Sequence, residues 1–267
     1  MIKGRLLPLM THQAAENMAI DEAISLAVAS GTQVPTLRFY QWNRPTISLG
    51  YFQPIAAAEV YLKNIRADVS EVRVVRRSTG GGAILHDREL TYSLALPLEN
   101  ATPGPRERVY QAMHQTIREV LAGFAVSSAP YREIASRKRN ASNKSTVTGL
   151  REMLSEPFLC FQRRTEEDLI CSGYKVLGSA QRRVRGGVLQ HGSLLLSVSR
   201  FASVLPGIQE LTNRTIDARV LADRLCKKVG AELGVEWETG QLSERELRQA
   251  ESISRQRYGD ESWTHRR

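Results

Sequence analysis

Residues 76–87 read RRSTGGGAILHD, and this segment constrains the fold and the site more than any other part of the sequence. Three consecutive glycines, Gly80, Gly81 and Gly82, remove every side chain from a short stretch of backbone, so a ligand or another segment can approach closely. A plain bulge between strands explains one glycine more easily than three. The spacing matches neither the phosphate loop GxxxxGK[ST] nor the dinucleotide fingerprint GxGxxG. We therefore predict a ligand-facing loop that is not a phosphate loop.

Hydrophobic patterns on both sides of the glycines predict an α+β fold. A buried strand at 72–75 leads into the loop, and a second strand at 90–96 follows it. Helices are predicted at 11–30, 56–62, 105–124, 217–233 and 243–258, and further strands at 37–39, 47–49, 158–161, 168–171, 175–181 and 188–198. Because strands and helices do not alternate regularly, we expect a mixed, largely antiparallel sheet flanked by helices.

The length of 267 residues suits a single domain spanning 1–267. We expect its core at about 31–215 and a C-terminal helical segment at about 217–258. Within the core, the stretch 133–148 reads EIASRKRNASNKSTVT, which is basic and poor in apolar residues. This composition predicts a loop.

The chain carries 37 lysine and arginine residues against 28 aspartate and glutamate residues, a formal net charge of +9. This surplus favours acidic partners, although it can also serve only to keep the chain soluble. Zinc-finger spacing and the aromatic signature of RNA-binding sheets are absent, so we expect no nucleic-acid partner. No apolar run approaches the roughly 20 residues of a membrane-spanning helix, and the first residues do not form a signal peptide. We expect a cytoplasmic protein without membrane contact.

The three cysteines are Cys160, Cys171 and Cys226. An odd number without a CxxC motif predicts neither a disulfide framework nor a metal site, and it favours a reducing compartment. Cys160 lies between two phenylalanines, which is typical of a core residue, and the other two cysteines are expected in the core as well. A nucleophile needs a nearby cation, and Lys175 supplies one if the strands at 158–161 and 175–181 are neighbours. Local pattern alone leaves this choice open.

One histidine, His86, lies in the glycine-rich segment, and another, His191, lies in a later predicted strand. His86 precedes Asp87, and a carboxylate can orient an imidazole ring. His191 stands alone in a strand, where a histidine is usually structural. No Ser-His-Asp arrangement is evident from spacing.

Several segments, in this order, resemble the biotin/lipoate attachment enzymes and specifically their octanoyltransferase branch. They are AAENMAIDEA at 14–23, RFYQWNRPTISLGYFQ at 38–53, RRSTGGGAILHDRELTYSLALP at 76–97, LCF at 159–161, DLICSGYKVLGSAQRR at 168–183 and GGVLQHGSLLL at 186–196. These segments span most of the chain. The resemblance implies a class II synthetase-like core of the biotin/lipoate ligase type, with a mixed sheet flanked by helices.

The resemblance also implies roles for individual residues. Cys160 would form an acyl-thioester, and Lys175 would contact the reacting carbonyl group and stabilise the thiolate by its charge. The implied substrate-binding residues are Arg76, Arg77, Ser78, Gly80, Gly81, Gly82, His86, Gly178, Ser179, Ala180, Gln190 and His191. The three glycines would let an eight-carbon chain lie flat on the backbone, and N–H groups near 178–180 could stabilise an oxyanion.

The implied reaction moves an octanoyl group from the phosphopantetheine of acyl carrier protein to a lysine of an apo lipoyl domain, such as the glycine-cleavage H protein. Exchange between thioesters needs no ATP, so we expect no cofactor and no metal. Both partners are typically acidic, which gives Arg182, Arg183, Arg185 and the basic stretch 137–144 a possible docking role. The resemblance favours a monomer.

Two other enzyme activities share these motifs. ATP-dependent lipoate ligases form an acyl-adenylate and use no cysteine nucleophile. Amidotransferases that move octanoyl between lipoyl domains do use a cysteine. A lipoyl-domain binding protein without turnover is a third possibility, and the presence of both Cys160 and Lys175 argues against it. The position of Cys160 before the DLICSGYKVLGSAQ segment favours the octanoyltransferase.

Overall fold

The computed structural model describes residues 1–98, 105–141 and 157–267. The strands are β1 (Ile2–His12), β2 (Thr36–Trp42), β3 (Thr46–Leu49), β4 (Arg73–Arg76), β5 (Ile84–His86), β6 (Glu89–Pro97), β7 (Ala129–Pro130), β8 (Leu169–Cys171), β9 (Tyr174–Val184), β10 (Gly187–Leu195) and β11 (Val235–Thr239). The helices are α1 (Ala14–Ala29), α2 (Ile55–Lys63), α3 (Pro105–Ala122), α4 (Tyr131–Ala141), α5 (Ile208–Thr212), α6 (Ala218–Leu233), α7 (Glu244–Ile253) and α8 (Glu261–Thr264). There are also a 3-10 turn, Cys160–Gln162, and a π-helical turn, Ser254–Tyr258.

Eight strands form the large sheet in the order β11-β1-β2-β6-β10-β9-β8-β7. β1 runs parallel to both of its neighbours, whereas every later pair from β2 to β7 is antiparallel. The meander β8-β9-β10 places three consecutive predicted strands side by side. The expected mixed, largely antiparallel sheet is therefore confirmed.

Helices cover both faces of this sheet. On one face, α3 and α6 pack their apolar stripes against the strands, with Met113, Ile117 and Leu225 among the buried residues. On the other face, α1 lies between the sheet and α7. Because α1 is covered on both sides, 11 of its 16 residues are buried and it has no wide polar face.

A second, three-stranded sheet has the order β4-β3-β5. Its core of Ile47, Leu49 and Leu85 packs against Ala58 of α2. The loop 77–83, which carries the three glycines, connects β4 to β5. This small sheet therefore holds the glycine loop at both ends and presents it to the rest of the molecule.

Three strands of the large sheet were not predicted from the sequence: β1, β11 and the two-residue β7. β1 contains Pro8, next to a register shift in its pairing with β2, and a buried Arg5. Arg5 is stabilised by Glu246 of α7, with Nη2 and Oε1 2.6 Å apart. Because residues 2–12 are extended, α1 begins at Ala14 and not at Thr11 as predicted.

Two other predictions about local structure were wrong. Residues 131–141 form α4, so the part of the predicted 133–148 loop that the structure describes is helical; residues 142–148 lie outside the described ranges. Alanine, arginine and lysine all favour helices, and the low apolar content hid this preference. The expected strand at 158–161 contributes only a single bridge from Leu159 to Ala83, followed by the 3-10 turn.

The division into a core at about 31–215 and a helical segment at about 217–258 stays a prediction. The large sheet nevertheless takes strands from both sides of that core range, because β1 and β11 pair with each other.

None of the helices in the described ranges is both long enough and apolar enough to cross a membrane.

Candidate active site

Cys160 is attached directly to the glycine loop. Its backbone N–H donates to the Ala83 carbonyl at 2.7 Å, and the Ala83 N–H donates to the Phe158 carbonyl at 3.1 Å. A side chain at position 82 would lie 3.1 Å from the Cys160 Cα atom, so Gly82 allows this close approach. Cys160 is half-buried, whereas Cys171 and Cys226 are buried in the core as expected.

The ammonium group of Lys175 lies beside the Cys160 thiol. Its Nζ atom is 3.6 Å from Cys160 Sγ and 3.4 Å from the Cys160 carbonyl oxygen. The structure therefore brings the two candidate catalytic residues together. The contact arises through the 3-10 turn at Cys160, since residues 158–161 are not a strand beside β9.

A buried carboxylate holds Lys175 in this position. Asp168 Oδ2 lies 2.9 Å from Lys175 Nζ, and the side chains of the two residues are only 1% and 2% exposed. Asp168 Oδ2 also accepts from the Thr165 N–H at 2.6 Å. A Cβ atom at Gly178 would lie 2.6 Å from Lys175 Cε, so the absence of a side chain there leaves room for the lysine.

Arg77 braces the glycine loop from inside. Its buried guanidinium donates to the carbonyls of Gly80 and Gly82 at 2.7 and 2.8 Å and to the Ser48 carbonyl at 2.7 Å. Burial lowers the pKa of Arg77 to about 10, which leaves it charged at pH 7. Gly81 has φ = 96°, a left-handed conformation that favours glycine. The loop is thus held in one shape by a buried cation.

Two predicted substrate-binding residues contact other parts of the fold. The Arg76 guanidinium is fully buried and donates to backbone carbonyls, including those of Gln53 at 2.5 Å and Thr264 at 2.7 Å. Ser78 lies beside the Tyr258 hydroxyl group. The structure does not bring the Arg76 guanidinium together with Cys160, and its contacts instead tie segment 259–267 to the small sheet.

A narrow cavity of about 20 Å³ lies between the two sheets. The small sheet and its loop contribute Ser48, Arg77, Ile84 and His86, and α1 and the large sheet contribute Met18, Tyr40, Trp42, Thr91, Ala180, His191, Gly192 and Ser193. This volume holds about one water molecule, so side chains must move before an alkyl chain can enter. Most of the exposed wall of the cavity is nevertheless apolar.

His86 forms one wall of this cavity and is held on three sides. Its ring stacks on Trp42 with centroids 4.0 Å apart, its Nε2 lies 2.8 Å from Ser48 Oγ, and its Nδ1 lies 2.5 Å from Glu89 Oε1. The orienting carboxylate is therefore Glu89 and not Asp87, which instead accepts from Ser199. The chain reverses between β5 and β6, and this brings positions 86 and 89 face to face.

His191 links the large sheet to the glycine loop. Its Nε2 lies 2.8 Å from Thr79 Oγ1, and its Nδ1 faces the buried carboxylate of Asp21 at 3.9 Å. Burial lowers the pKa of His191 to about 4, so the ring is neutral at pH 7. These contacts hold β10 against the glycine loop, and His191 also lines the cavity; its role in substrate binding stays a prediction.

Gly178, Ser179 and Ala180 are consecutive residues of β9, paired with Ser193, Gly192 and His191 of β10. The Ser179 carbonyl accepts from the Tyr110 hydroxyl at 2.9 Å on the opposite side of the strand. This side of the strand is open because β8 pairs only with residues 174–177. The Ser179 carbonyl therefore points away from β10, towards the edge of β9 that β8 leaves uncovered.

A buried polar chain continues from Ser179 into the core. Burial lowers the pKa of His114 to about 4. Its Nδ1 lies 2.6 Å from the Glu167 carbonyl, which only accepts, so Nδ1 carries the proton and Nε2 accepts from Ser179 Oγ at 2.6 Å. Tyr92 donates to Ser179 Oγ at 2.7 Å, and Gln190 Nε2 donates to Tyr92 at 2.7 Å. This chain fixes the orientation of β9 beside the site.

We expect the protein to lose stability as the pH falls from about 6.5 towards 4, since unfolded His114 gains a proton near pH 6.5 and folded His114 only near 4. This difference in pKa corresponds to about 3 kcal/mol once both states are protonated. His114→Gln should flatten the pH dependence of the urea midpoint between pH 4 and 6.5. Part of the dependence should remain, because the pKa of His191 is lowered in the same way. Parallel pH curves for the two proteins would contradict the neutral, buried state of His114.

The lipoyl protein ligase A/B catalytic domain model matches residues 13–232 of the sequence. The chain belongs to the lipoyl protein ligase A/B catalytic domain family. Octanoyltransferase LipM of Symbiobacterium thermophilum is 34% identical over 284 residues, with 98% of each chain covered. Octanoyltransferase LipM of Moorella thermoacetica is 32% identical over the same length, again with 98% of each chain covered. Within the family, the chain therefore belongs with the LipM octanoyltransferases.

A solved structure shows the same fold as this protein. It is the structure of a bipartite lipoate protein ligase and its E2 lipoyl domain from Thermoplasma acidophilum, with a TM-score of 0.74, 19% identity, and coverage of 99% of this chain and 97% of that chain. The likeness concerns the fold alone, and it confirms the predicted lipoate-ligase core.

Several residues at the candidate active site of this protein were not predicted from the sequence. Asp168 was read only as the start of a strand, and its one signal is a carboxylate seven residues before Lys175. Tyr92, Tyr110 and His114 come from β6 and α3, and no spacing connects them to β9. They were missed because only the tertiary structure places them there.

The predicted docking arginines lie apart from Cys160 and Lys175. Arg182 lies near the β9–β10 turn, seven residues along β9 from Lys175. At about 3.3 Å per residue, this is roughly 23 Å from the lysine. Its Nη1 atom is 3.8 Å from Glu22 Oε2. Their role in docking stays a prediction. Among residues 1–98, 105–141 and 157–267, no group of three or more His, Cys, Asp or Glu side chains is arranged to hold a metal ion.

Proposed function

We propose that this protein transfers an octanoyl group to a lysine of a lipoyl domain through a thioester on Cys160. The observation that carries the proposal is the 3.6 Å contact between Lys175 Nζ and Cys160 Sγ. A cation at this distance favours the thiolate, which is the nucleophilic form of cysteine. The similarity to LipM octanoyltransferases supports the identity of the acyl group.

In the first step, the Cys160 thiolate attacks the carbonyl carbon of the octanoyl thioester. The carbon–sulfur bond to the donor breaks, and the donor leaves as a thiolate. Lys175 can give this sulfur a proton, because its ammonium lies between Asp168 and Cys160. The enzyme then carries an octanoyl-thioester on Cys160 and a neutral amine on Lys175.

In the second step, the neutral amine of the acceptor lysine attacks the Cys160 thioester. Lys175 takes the proton that the attacking nitrogen loses, and Cys160 leaves as a thiolate. An amide forms and the enzyme returns to its starting state with all protons accounted for. Because an amide is more stable than a thioester, this step drives the overall transfer without ATP.

The acyl chain would occupy the narrow cavity between the two sheets. Met18, Trp42 and Ile84 provide apolar walls for an alkyl chain, and Gly82 connects the loop above the cavity to Cys160. The Arg77 guanidinium keeps the loop in place by binding its carbonyls. The octanoyl chain is thus proposed to enter under the glycine loop with its carbonyl group at Cys160.

The proposed donor is octanoyl-acyl carrier protein, and the proposed acceptor is an apo lipoyl domain such as the glycine-cleavage H protein. The fold match to a ligase that was solved together with its E2 lipoyl domain is consistent with an acceptor of this class. We place the reaction in the cytoplasm, where free thiols such as Cys160 stay reduced.

Incubation with octanoyl-acyl carrier protein, without ATP, should add one octanoyl group to the protein by intact-mass measurement. The Cys160→Ser variant should show no adduct under the same conditions, because a serine hydroxyl is not activated by a neighbouring ammonium. Cys226→Ser is a matched control, since Cys226 is a buried core cysteine, and it should acylate as the wild type does.

The same measurement separates the other activities. Modification that requires octanoate and ATP, with no adduct from the carrier protein, would establish a ligase in place of a transferase. An adduct that forms only from an octanoylated lipoyl domain would establish an amidotransferase. An adduct on wild type and Cys160→Ser alike would refute the proposed nucleophile.

A further inference from the structure

A cationic, aromatic surface lies beside the glycine loop, formed by Tyr51, Phe52, Trp263, Arg266 and Arg267, which we call the arginine–aromatic surface. Phe52 is 68% exposed, more than any other large apolar side chain of the described residues except Met1. The Arg267 guanidinium lies 5.2 Å from the Phe52 ring centroid. The Arg266 guanidinium lies 4.7 Å from the Tyr51 ring and 4.6 Å from the Trp263 ring.

This surface is held in a defined shape. The Ile55 N–H donates to the Arg267 carbonyl at 2.8 Å, and Trp263 Nε1 donates to the Arg76 carbonyl at 2.9 Å. The Arg76 guanidinium in turn binds the Thr264 carbonyl. Aromatic side chains and arginines are enriched in the hot spots of protein–protein interfaces.

Loop 50–53 connects this surface to the active site. The Tyr51 N–H donates to the Thr79 carbonyl at 2.9 Å, so the loop runs alongside the glycine segment. Gln53 Nε2 donates to the Phe158 carbonyl at 3.3 Å, two residues before Cys160. The surface and the nucleophile are therefore neighbours, with the Gln53 side chain and residues 158–159 between them.

The charge of this surface selects an acidic partner. Arg266 and Arg267 are exposed, and within the described ranges neither forms an ion pair with a carboxylate. The two proposed partners reach Cys160 differently: a lipoyl domain extends one lysine side chain, whereas a carrier protein extends a long phosphopantetheine arm. The arm of a carrier protein also carries a phosphate, which is a good ligand for guanidinium groups and which the lysine of a lipoyl domain lacks.

We propose that the arginine–aromatic surface is where the acidic acyl carrier protein docks while its phosphopantetheine arm delivers the thioester to Cys160. This inference rests on the proposed function. Phe52 inserts into the apolar surface of the carrier, and Arg266 and Arg267 bind its carboxylates or the arm's phosphate. The acceptor domain does not use this surface.

The test compares two acyl donors in single-turnover acylation of Cys160. One is octanoyl-acyl carrier protein, and the other is octanoyl-pantetheine, which has neither a protein surface nor a phosphate. The variants are Phe52→Ala and Arg266→Ala/Arg267→Ala. Arg245→Ala/Arg248→Ala on α7 is the matched control, because it removes the same charge from a different surface.

Both variants should raise the half-saturating concentration of octanoyl-acyl carrier protein at least tenfold and leave the rate with octanoyl-pantetheine unchanged. The control should match the wild type with both donors. Salt should weaken the wild-type interaction with the carrier protein more than that of the double arginine variant. Acceptor octanoylation from a pre-acylated enzyme should be unaffected.

An unchanged half-saturating concentration for the carrier protein overturns the proposal. Equal losses with both donors also overturn it, because they indicate damage to the site, and a loss confined to the acceptor step assigns the surface to the lipoyl domain instead. If neither donor acylates wild-type Cys160, the proposed function itself fails, so the two failures are distinguishable.

Discussion

Replacing Lys175 by methionine should slow the alkylation of Cys160 by iodoacetamide at pH 7 by about a hundredfold. The ammonium lies 3.6 Å from the sulfur, and two unit charges about 4 Å apart interact by ~4 kcal/mol at an effective dielectric constant of 20. A hundredfold change needs only part of that interaction. Octanoyl transfer should fall further, by about 10³, because the proton donor for the leaving thiolate is lost as well. Peptide mapping after alkylation distinguishes Cys160 from the buried cysteines.

A second variant separates this electrostatic role from a role in stability. Removal of Lys175 alone leaves Asp168 buried without its partner, which can cost about 3–5 kcal/mol. Lys175→Met/Asp168→Asn removes both charges and should recover much of the lost stability. If the double variant also regains the wild-type alkylation rate, Lys175 is only structural and the proposed activation of Cys160 is wrong.

Gly178→Ala should reduce octanoyl transfer by about a hundredfold while the protein stays folded. A Cβ atom at this position would lie 2.6 Å from Lys175 Cε and 2.9 Å from Nζ, closer than real contacts allow. The lysine end is flexible, so it moves, and the ammonium leaves its place between Asp168 and Cys160. The thermal midpoint and the rate of Cys160 alkylation measure the two parts of this expectation.

Gly80→Ala is the matched comparison for Gly178→Ala. A Cβ atom at Gly80 would meet nothing within 4 Å, and its φ is outside the left-handed region. Alkylation of Cys160 should therefore proceed at the wild-type rate in this variant. Slower alkylation in Gly80→Ala, or wild-type alkylation in Gly178→Ala, would show that space around Lys175 does not control the thiol.

The regular elements near the middle of the chain could be predicted because each carries its own periodic pattern. The strands β8, β9 and β10 follow one another with short turns, so their sequence order is also their order in space. β1 and β11 could not be found in this way, because they lie more than 200 residues apart and stabilise each other. The charged helix α4 was missed because its sequence has too few apolar residues to show a helical pattern.

The site was predictable in its residues more than in its geometry. The resemblance pointed to Cys160 and Lys175, and the structure places them in contact. Asp168 and Gly178, which hold and make room for the lysine, have no signal that distinguishes them from ordinary strand residues. The three glycines were read as one flat surface, yet Gly82 makes room for the Cys160 backbone and Gly81 adopts a left-handed turn.

The sequence by itself determined the family, the mixed sheet and the identity of the candidate nucleophile, because these depend on motifs and on local patterns of apolar residues. Only the tertiary structure decided which groups surround the Cys160 thiol. Its neighbours come from separate segments: Gly82 comes from the glycine loop and Lys175 from β9, and Asp168, which holds the lysine, directly precedes β8. A thiol becomes a nucleophile through charge within a few ångströms, and distances between distant segments are set by packing and not by spacing along the chain.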